Sequence, residues 1–368
     1  MILNLDRPFL SHRLPIALAA REAGFDVHLA MAMSDCEAEV RAHGFQVHAL
    51  PIKRGRTGVF AELRTLAKVF ALTQRVRPDI LHLVTIKPVL YGGLAARLFG
   101  IPTLAAIPGL GSAFLMDGWK GRLMRVVLSA FYRLSVNHDR VQVVVQNPDD
   151  AQSAETSFGV PRRRITLVRG SGVDLEAFPR TLEPQSPVTI TMASRLLKDK
   201  GVWEFIKAAA IVRGQNPTIR FQLAGDPDPG NPSSLTGADL DQIRREGHVD
   251  LLGHRSDIPN LFSASHVVVL PSYREGLPKV LIEAAASGRS VVTTDVPGCR
   301  DAIAPGTGFL VPPRDAPALV RAIQVLVEDG VLRRQMGEAG RALAEREFDI
   351  QRVVEAHLKI YEKLGNYR

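Results

Sequence analysis

The segment Glu275-Gly276-Leu277-Pro278-Lys279-Val280-Leu281-Ile282-Glu283 sets two carboxylates around a turn that directly follows the apolar run 266–270. Pro278 suits the first turn of a helix, where its missing N–H costs nothing. Glu275 and Gly276 then occupy a strand-to-helix loop. The amides of Gly276 and Leu277 stand before a positive helix end, which makes an anion site. Glu283 falls inside a helix otherwise built of Ala, Val and Leu. A carboxylate there is costly to bury unless hydroxyl donors, such as those of a sugar or a ribose, satisfy it. The alternative is a solvated helix glutamate.

A second loop of the same kind is Met192-Ala193-Ser194-Arg195-Leu196-Leu197-Lys198-Asp199-Lys200-Gly201. Arg195 offers a planar fork for phosphate oxygens and Lys200 a point charge. Two cations and one helix N-terminus suit a diphosphate; ordinary surface charge around a loop is the competing reading. Pro108-Gly109-Leu110-Gly111-Ser112-Ala113-Phe114 has the look of a dinucleotide fingerprint. Phe114 stands where close packing needs a small residue, which excludes a nicotinamide dinucleotide. A glycine loop through Gly109 and Gly111, reaching a cleft from the first half, remains. Asp226-Pro227-Asp228, amid Pro229 and Gly230, reads as a turn rather than a metal-bound diphosphate. No His/Cys cluster has zinc spacing, and no nucleophile-elbow serine or phosphate-loop lysine motif is present, so no metal site is expected.

These loops need a scaffold that delivers strand ends beside helix starts. Short β-branched runs alternate with amphipathic stretches along the whole chain. Strands are expected at 2–5, 27–30, 46–50, 80–84, 103–107, 141–145 and 165–168, then at 189–192, 220–224, 250–252, 267–270 and 290–293. Helices are expected near 11–23, 57–76, 88–99, 120–136, 201–213, 236–246, 279–287, 315–328 and 350–364. Alternating strand and helix means parallel sheets covered on both faces, the α/β class. The proline-bearing stretch 181–187 reads as a linker, giving domains 1–182 and 183–349, with the last helix returning to the first domain. Two facing sheets of this kind bind ligands across the cleft at their strand carboxyl ends.

Composition agrees. With 368 residues, 46% apolar and 23% charged, the chain is neither disordered nor a disulfide scaffold. Cys36 and Cys299 read as free thiols of a reducing cytosol, and no secretory signal opens the chain. The stretch 98–116 is uncharged but is punctuated by Gly and Pro, so it reads as helix end, strand and glycine loop rather than a membrane span. The net charge of +8 is uneven: residues 1–180 hold 23 Lys and Arg against 15 Asp and Glu, while 181–368 hold 23 of each. A basic half suits an anionic partner. In 119–133, Val127, Ala130, Phe131 and the following Leu134 share a helical face flanked by Lys120, Arg122, Arg125 and Arg133. Lys53, Arg54 and Arg56 add a second cluster. Such a pattern suits peripheral binding to an anionic membrane; an apolar face turned into the domain core is the alternative.

Four stretches then resemble retaining glycosyltransferases of family 4: 193–201, Gly170-Ser171-Gly172-Val173-Asp174, 270–278, and Thr294-Asp295-Val296-Pro297-Gly298-Cys299-Arg300. The Glu-x7-Glu motif, Glu275 to Glu283, is complete. Phe9-Leu10-Ser11-His12-Arg13-Leu14-Pro15 and Lys87-Pro88 resemble in particular the capsular and O-antigen branch that extends polyprenyl-diphosphate-linked sugars. The resemblance implies a GT-B fold, two facing doubly wound Rossmann-like domains with an interdomain cleft. It implies a retaining, metal-independent transfer, without a cofactor, of an N-acetylated hexosamine from UDP to a polyprenyl-diphosphate-linked saccharide. Arg195 and Lys200 would hold the donor diphosphate, Glu275 the sugar hydroxyls, Gly276 and Leu277 would present amides, and Glu283 would take the ribose hydroxyls. Gly253, His254 and Arg255 would lie beside the base, and His12, Lys87, Gly109 and Gly111 would serve the acceptor side. A cytoplasmic protein on the inner face of the membrane follows, with no nucleic-acid partner. The chain departs from the family at Pro108, where many members carry a histidine. Its first strand is also short, which suggests a truncated start and a weakened sheet edge. A same-fold epimerase or phosphorylase, and a nonenzymatic nucleotide-sugar binder, are the competing functions.

Overall fold

The computed structural model describes residues 1–52, 58–109, 118–185 and 187–366. Its contacts divide the chain into two compact units, 1–171 with 350–368, and 172–349.

The first unit carries β1 (Ile2–Leu5), α1 (Asp6–His12), α2 (Leu14–Glu22), β2 (His28–Ala32), α3 (Glu37–Ala42), β3 (Gln46–Ala49), α4 (Val59–Val76), β4 (Leu81–Val84), α5 (Ile86–Phe99), β5 (Thr103–Ile107), α6 (Gly118–Val136), β6 (Val141–Val145), α7 (Pro148–Thr156) and β7 (Ile165–Leu167). Its seven strands pair in parallel in the order β3-β2-β1-β4-β5-β6-β7. β5 and β6 are buried along their whole length because helices cover both faces. One face packs Leu3, Leu29 and Val144 against α1 and α2, the other Leu83, Ala105 and Val143 against α4, α5 and α6. The helix expected at 11–23 is broken at Arg13, whose backbone (φ −128°, ψ −14°) leaves the helical region and separates α1 from α2. The short β1 lies in the middle of the sheet, between β2 and β4, so the expected weakening of an edge does not apply.

The second unit carries β8 (Thr189–Ala193), α8 (Val202–Gln215), β9 (Arg220–Ala224), α9 (Gly237–Glu246), β10 (Asp250–Gly253), α10 (Ile258–Ser263), β11 (Val267–Leu270), α11 (Lys279–Ala286), β12 (Ser290–Thr294), β13 (Gly308–Val311), α12 (Ala316–Glu328) and α13 (Gly330–Leu343). The sheet runs β10-β9-β8-β11-β12-β13, again parallel. The last helix, α14 (Ile350–Gly365), belongs to the first unit. There His82 Nδ1 lies 2.6 Å from the Tyr361 hydroxyl, and Lys363 Nζ donates to Gln142 Oε1 at 3.3 Å.

In the stretch 181–187, expected as the linker, residues 181–184 are anchored to the second unit instead, and the chain leaves the first unit at Ser171. The cause is polar anchoring. Arg289, 1% exposed, donates to the carbonyls of Thr181, Leu182, Phe262 and Ser263 and to the Thr181 hydroxyl. Arg333 pairs with Glu183 at 2.9 Å, and the Pro184 carbonyl lies 3.1 Å from His266 Nε2. No helix among the described residues is long and apolar enough to cross a membrane.

Arg289→Leu strands the buried Phe262 carbonyl and three partly buried ones at once. It is expected to lower stability by about 3 kcal/mol in urea denaturation, since each unsatisfied buried acceptor costs about 1–3 kcal/mol. A wild-type midpoint would show that the segment is held by something else.

Candidate functional site

In the second sheet the strand order reverses between β8 and β11, which lie side by side with Ile190 opposite Val267. In a doubly wound sheet, ligands bind beyond the carboxyl ends of the strands at such a reversal. The loops leaving these strands are 194–201 and 271–278, the two that carry the candidate residues.

Backbone bonds tie the loops together. The Tyr273 amide donates to the Asp199 carbonyl at 2.9 Å, and the Leu196 amide to the Asp226 carbonyl at 2.9 Å. Lys198 and Asp199 bond Ser233, so the loop after β9 joins the group. The Gly225 amide reaches the Gly253 carbonyl at 2.7 Å, adding the end of β10. Gly201 must be glycine: its φ is +73°, and a Cβ would lie 2.2 Å from the Pro271 carbonyl oxygen. Gly298, at φ +82°, supports the glutamate loop from below, where a Cβ would lie 2.5 Å from the carbonyl oxygens of both Glu275 and Gly276. The Glu275 amide also donates to Pro297 at 3.1 Å.

Each candidate charge has a protein partner. Lys200 forms an ion pair with Glu275, both largely buried. Arg195, half exposed, pairs with Asp228 at 2.5 Å. Glu283 pairs with Lys279 one helical turn earlier, at 2.9 Å. With 8% exposure Glu283 is not a solvated helix glutamate. Burial pushes its carboxyl above the usual range, and the Lys279 ammonium opposes that shift. Pro278 caps α11 from outside; the helix starts at Lys279. Leu277 is buried in the core behind the loop. Arg255 makes a bidentate pair with Asp257 at 2.6 Å, while His254 beside it is exposed.

Several partners of these groups escaped sequence reading. Asp228 is the counter-ion of Arg195 rather than a plain turn residue. Tyr273 donates to Glu204 at 2.9 Å, and the Arg314 guanidinium lies 4.7 Å from its ring centroid. Burial, then the Glu204 bond, pushes the Tyr273 hydroxyl up to about 12. Burial, then the Glu275 charge, likewise pushes the Cys299 thiol up to about 12. Such a thiol stays protonated and inert.

In the first unit, Lys87 sits in the first turn of α5, at the carboxyl end of β4, and Gly109 follows the neighbouring β5. Lys87 pairs with Glu62 at 2.6 Å, and Tyr91 donates to the same carboxylate. His12 ends α1 and is exposed. Gly111, Lys53, Arg54 and Arg56 lie outside the described residues. Helix α6 turns Gly121, Tyr132, Ser135 and Val136 inward, with Tyr132 stacked on Phe158 at 4.3 Å. Val127, Ala130, Phe131 and Leu134 are exposed, so the reading of that face as domain core is overturned. Trp119 and Val126, 71% and 63% exposed, extend the apolar surface, with Lys120, Arg122 and Arg133 exposed along it. A cavity of about 500 Å³ in the first unit, lined by Phe25, His28, Arg77, His82 and Tyr361 among others, contains none of the expected site residues.

Two parallel doubly wound units with a polar web at a strand-order reversal define the GT-B class of fold. A solved Anabaena protein, Alr3699/HepE in complex with UDP and glucose, shares it: the TM-score is 0.76 at 19% identity, covering 98% of this chain and 99% of that one. The "Glycosyl transferases group 1" model matches residues 174–343, and the "Glycosyl transferase 4-like" model matches 2–147. The chain belongs to this glycosyltransferase family. It is 28% identical to an N,N'-diacetylbacillosaminyl-diphospho-undecaprenol alpha-1,3-N-acetylgalactosaminyltransferase of Campylobacter jejuni, over 97% of this chain and 98% of that protein. It is 24% identical to a UDP-Gal:alpha-D-GlcNAc-diphosphoundecaprenol alpha-1,3-galactosyltransferase of Escherichia coli, over 84% and 81%.

Gly298→Ala forces a side chain against two carbonyls at a left-handed backbone position. It is expected to cost about 1–3 kcal/mol in urea denaturation. Undiminished stability would mean that the loop 295–299 does not brace Glu275.

Proposed function

We propose that the chain is a retaining transferase that moves an N-acetylated hexosamine from UDP to a polyprenyl-diphosphate-linked saccharide in surface glycan assembly. The observation that carries this reading is the gathering of Arg195, Lys200, Glu275 and Glu283 at one strand-order reversal. The Campylobacter and Escherichia relatives, whose names specify undecaprenyl-diphosphate acceptors, support the acceptor class. The former's N-acetylgalactosamine supports the sugar class, and the latter's UDP-Gal supports the nucleotide.

In this mechanism Arg195 and Lys200 receive the negative charge that builds on the departing diphosphate, helped by the start of α11 and the amides of Gly276 and Leu277. Glu275 accepts sugar hydroxyls and Glu283 those of the ribose, while Gly253, His254 and Arg255 border the base. The acceptor oxygen bonds to the anomeric carbon as the carbon–phosphate oxygen bond breaks on the same face. Its proton passes to the leaving phosphate, so no protein nucleophile is required. His12, Lys87 and Gly109 serve the acceptor side. We assign no cofactor and no metal, because in this reading Arg195 and Lys200 would supply the counter-charge of the diphosphate.

The test is release of nucleoside diphosphate from UDP-N-acetylhexosamine on adding a polyprenyl-diphosphate-linked saccharide. The wild-type protein should turn over, in excess EDTA as well as in magnesium. Glu275→Gln should remain folded and lose about 10²–10³ in rate. Release without lipid-linked acceptor, or full turnover in the variant, would contradict the proposal.

A lipid-linked acceptor requires the enzyme to work at a membrane, and α6 offers the surface. Each basic residue near an anionic bilayer contributes about 1 kcal/mol, enough in combination for reversible binding. On this reading the protein works as a peripheral protein on the cytoplasmic face. It should co-sediment with anionic liposomes at low salt and dissociate at high salt. Replacing Lys120, Arg122 and Arg125 by Glu should abolish co-sedimentation; binding that survives the triple change would dismiss α6 as the contact.

A further inference from the structure

Glu283 poses a problem that its own helix solves. Its carboxylate is almost fully buried, flanked along α11 by Leu281, Ile282, Ala284 and Ala285, all part of the core. A lone carboxylate in such surroundings takes up a proton, and a protonated acid donates a hydrogen bond through that oxygen instead of accepting one. Sugar hydroxyls would then lose half of what makes the group useful. Lys279, itself 28% exposed, places its ammonium 2.9 Å from Oε1. Other charges near α11 are spent elsewhere. Arg341 bonds the Ala286 carbonyl and pairs with Glu345, and Arg289 bonds the 181–182 segment. Among the described residues, the charge acting on Glu283 is that of Lys279.

We propose that Lys279 is a positioning residue for the donor: its ammonium holds the buried Glu283 carboxylate as the anion that accepts the hydroxyls of the nucleotide's ribose. The inference rests on the reading of Glu283 as a ribose ligand. Lys279 itself touches no substrate atom in this scheme. Its removal acts through Glu283, and the effect depends on pH. Burial raises the Glu283 pKa and Lys279 lowers it, so without Lys279 the carboxylate is lost at a higher pH. Donor affinity that needs the anion then falls as pH drops and returns as pH rises.

The experiment is calorimetric titration of the full chain with UDP between pH 6 and 9, for wild type, Lys279→Met, Lys279→Arg, Glu283→Gln and the double variant Lys279→Met/Glu283→Gln. Ratios to wild type remove the titration of UDP itself. Lys279→Met should bind about tenfold more weakly at the acid end, one pKa unit's worth. It should come within about twofold of wild type at pH 9. Lys279→Arg should bind like wild type throughout, which separates a charge effect from a folding defect. In the Glu283→Gln background, loss of Lys279 should add no pH-dependent penalty. A loss of the same size at every pH, or no loss in Lys279→Met while Glu283→Gln weakens binding, would overturn the role of Lys279 and leave the ribose reading standing. Wild-type affinity in Glu283→Gln would sink the ribose reading itself, and the inference with it.

Discussion

The buried pair between Lys200 and Glu275 is the contact on which the rest of the site depends. It joins the loop after β8 to the loop after β11, across the point where the sheet changes direction. An ion pair largely removed from water gains little net stability, because desolvation offsets attraction. It is therefore weak as a clamp, and the clamping is done by backbone: Tyr273 to Asp199, Gly201 against Pro271, and Gly298 under Glu275. The pair instead sets geometry. It fixes an ammonium and a carboxylate side by side, one suited to phosphate oxygens and the other to sugar hydroxyls.

The same economy extends to the neighbouring charges. Arg195 rests on Asp228 and Lys279 on Glu283, so each cation of the web has a carboxylate partner. A diphosphate entering this web would compete with Asp228 for Arg195, which is half exposed. Glu283, in contrast, is buried on α11 and held by Lys279 one turn earlier. The site thus offers a buried carboxylate where it would recognise a nucleoside and a half-exposed cation where it would grip phosphate.

Much of this was legible in the residues. Strands such as Val141–Val145 and Val267–Leu270 are apolar throughout because parallel sheets are covered on both faces. β13 was missed: it opens on Gly308 and runs into Pro312 and Pro313, which read as loop. α13 was missed for its Gly330, Gly337 and Gly340. A Cβ at Gly337 would lie 2.2 Å from the Gly288 carbonyl oxygen, so close packing selects a residue that helix propensity disfavours. α7 did carry a signal, Asn147 before Pro148, and the Asn147 side chain accepts from the Asp150 amide. α3 and α10 are helices of only six residues each, with little periodicity to read. The proline-bearing stretch 181–187 misled because anchoring by Arg289 is tertiary and leaves no local mark. Site residues followed the same division. Glu275, Glu283, Arg195 and Lys200 declare themselves by type beside strand ends. Asp228, Glu204 and Arg314 meet partners distant in sequence, and nothing in their neighbours reveals that.

The central claim is that the carboxyl-end loops of the second sheet form the nucleotide-sugar site, and amide hydrogen exchange with and without saturating UDP tests it without altering the chain. The account predicts slowed exchange in 194–201, 225–235, 253–255 and 271–283, with β12 and α12 unchanged. Slowed exchange confined to the first unit, or none in these loops at saturation, would contradict it.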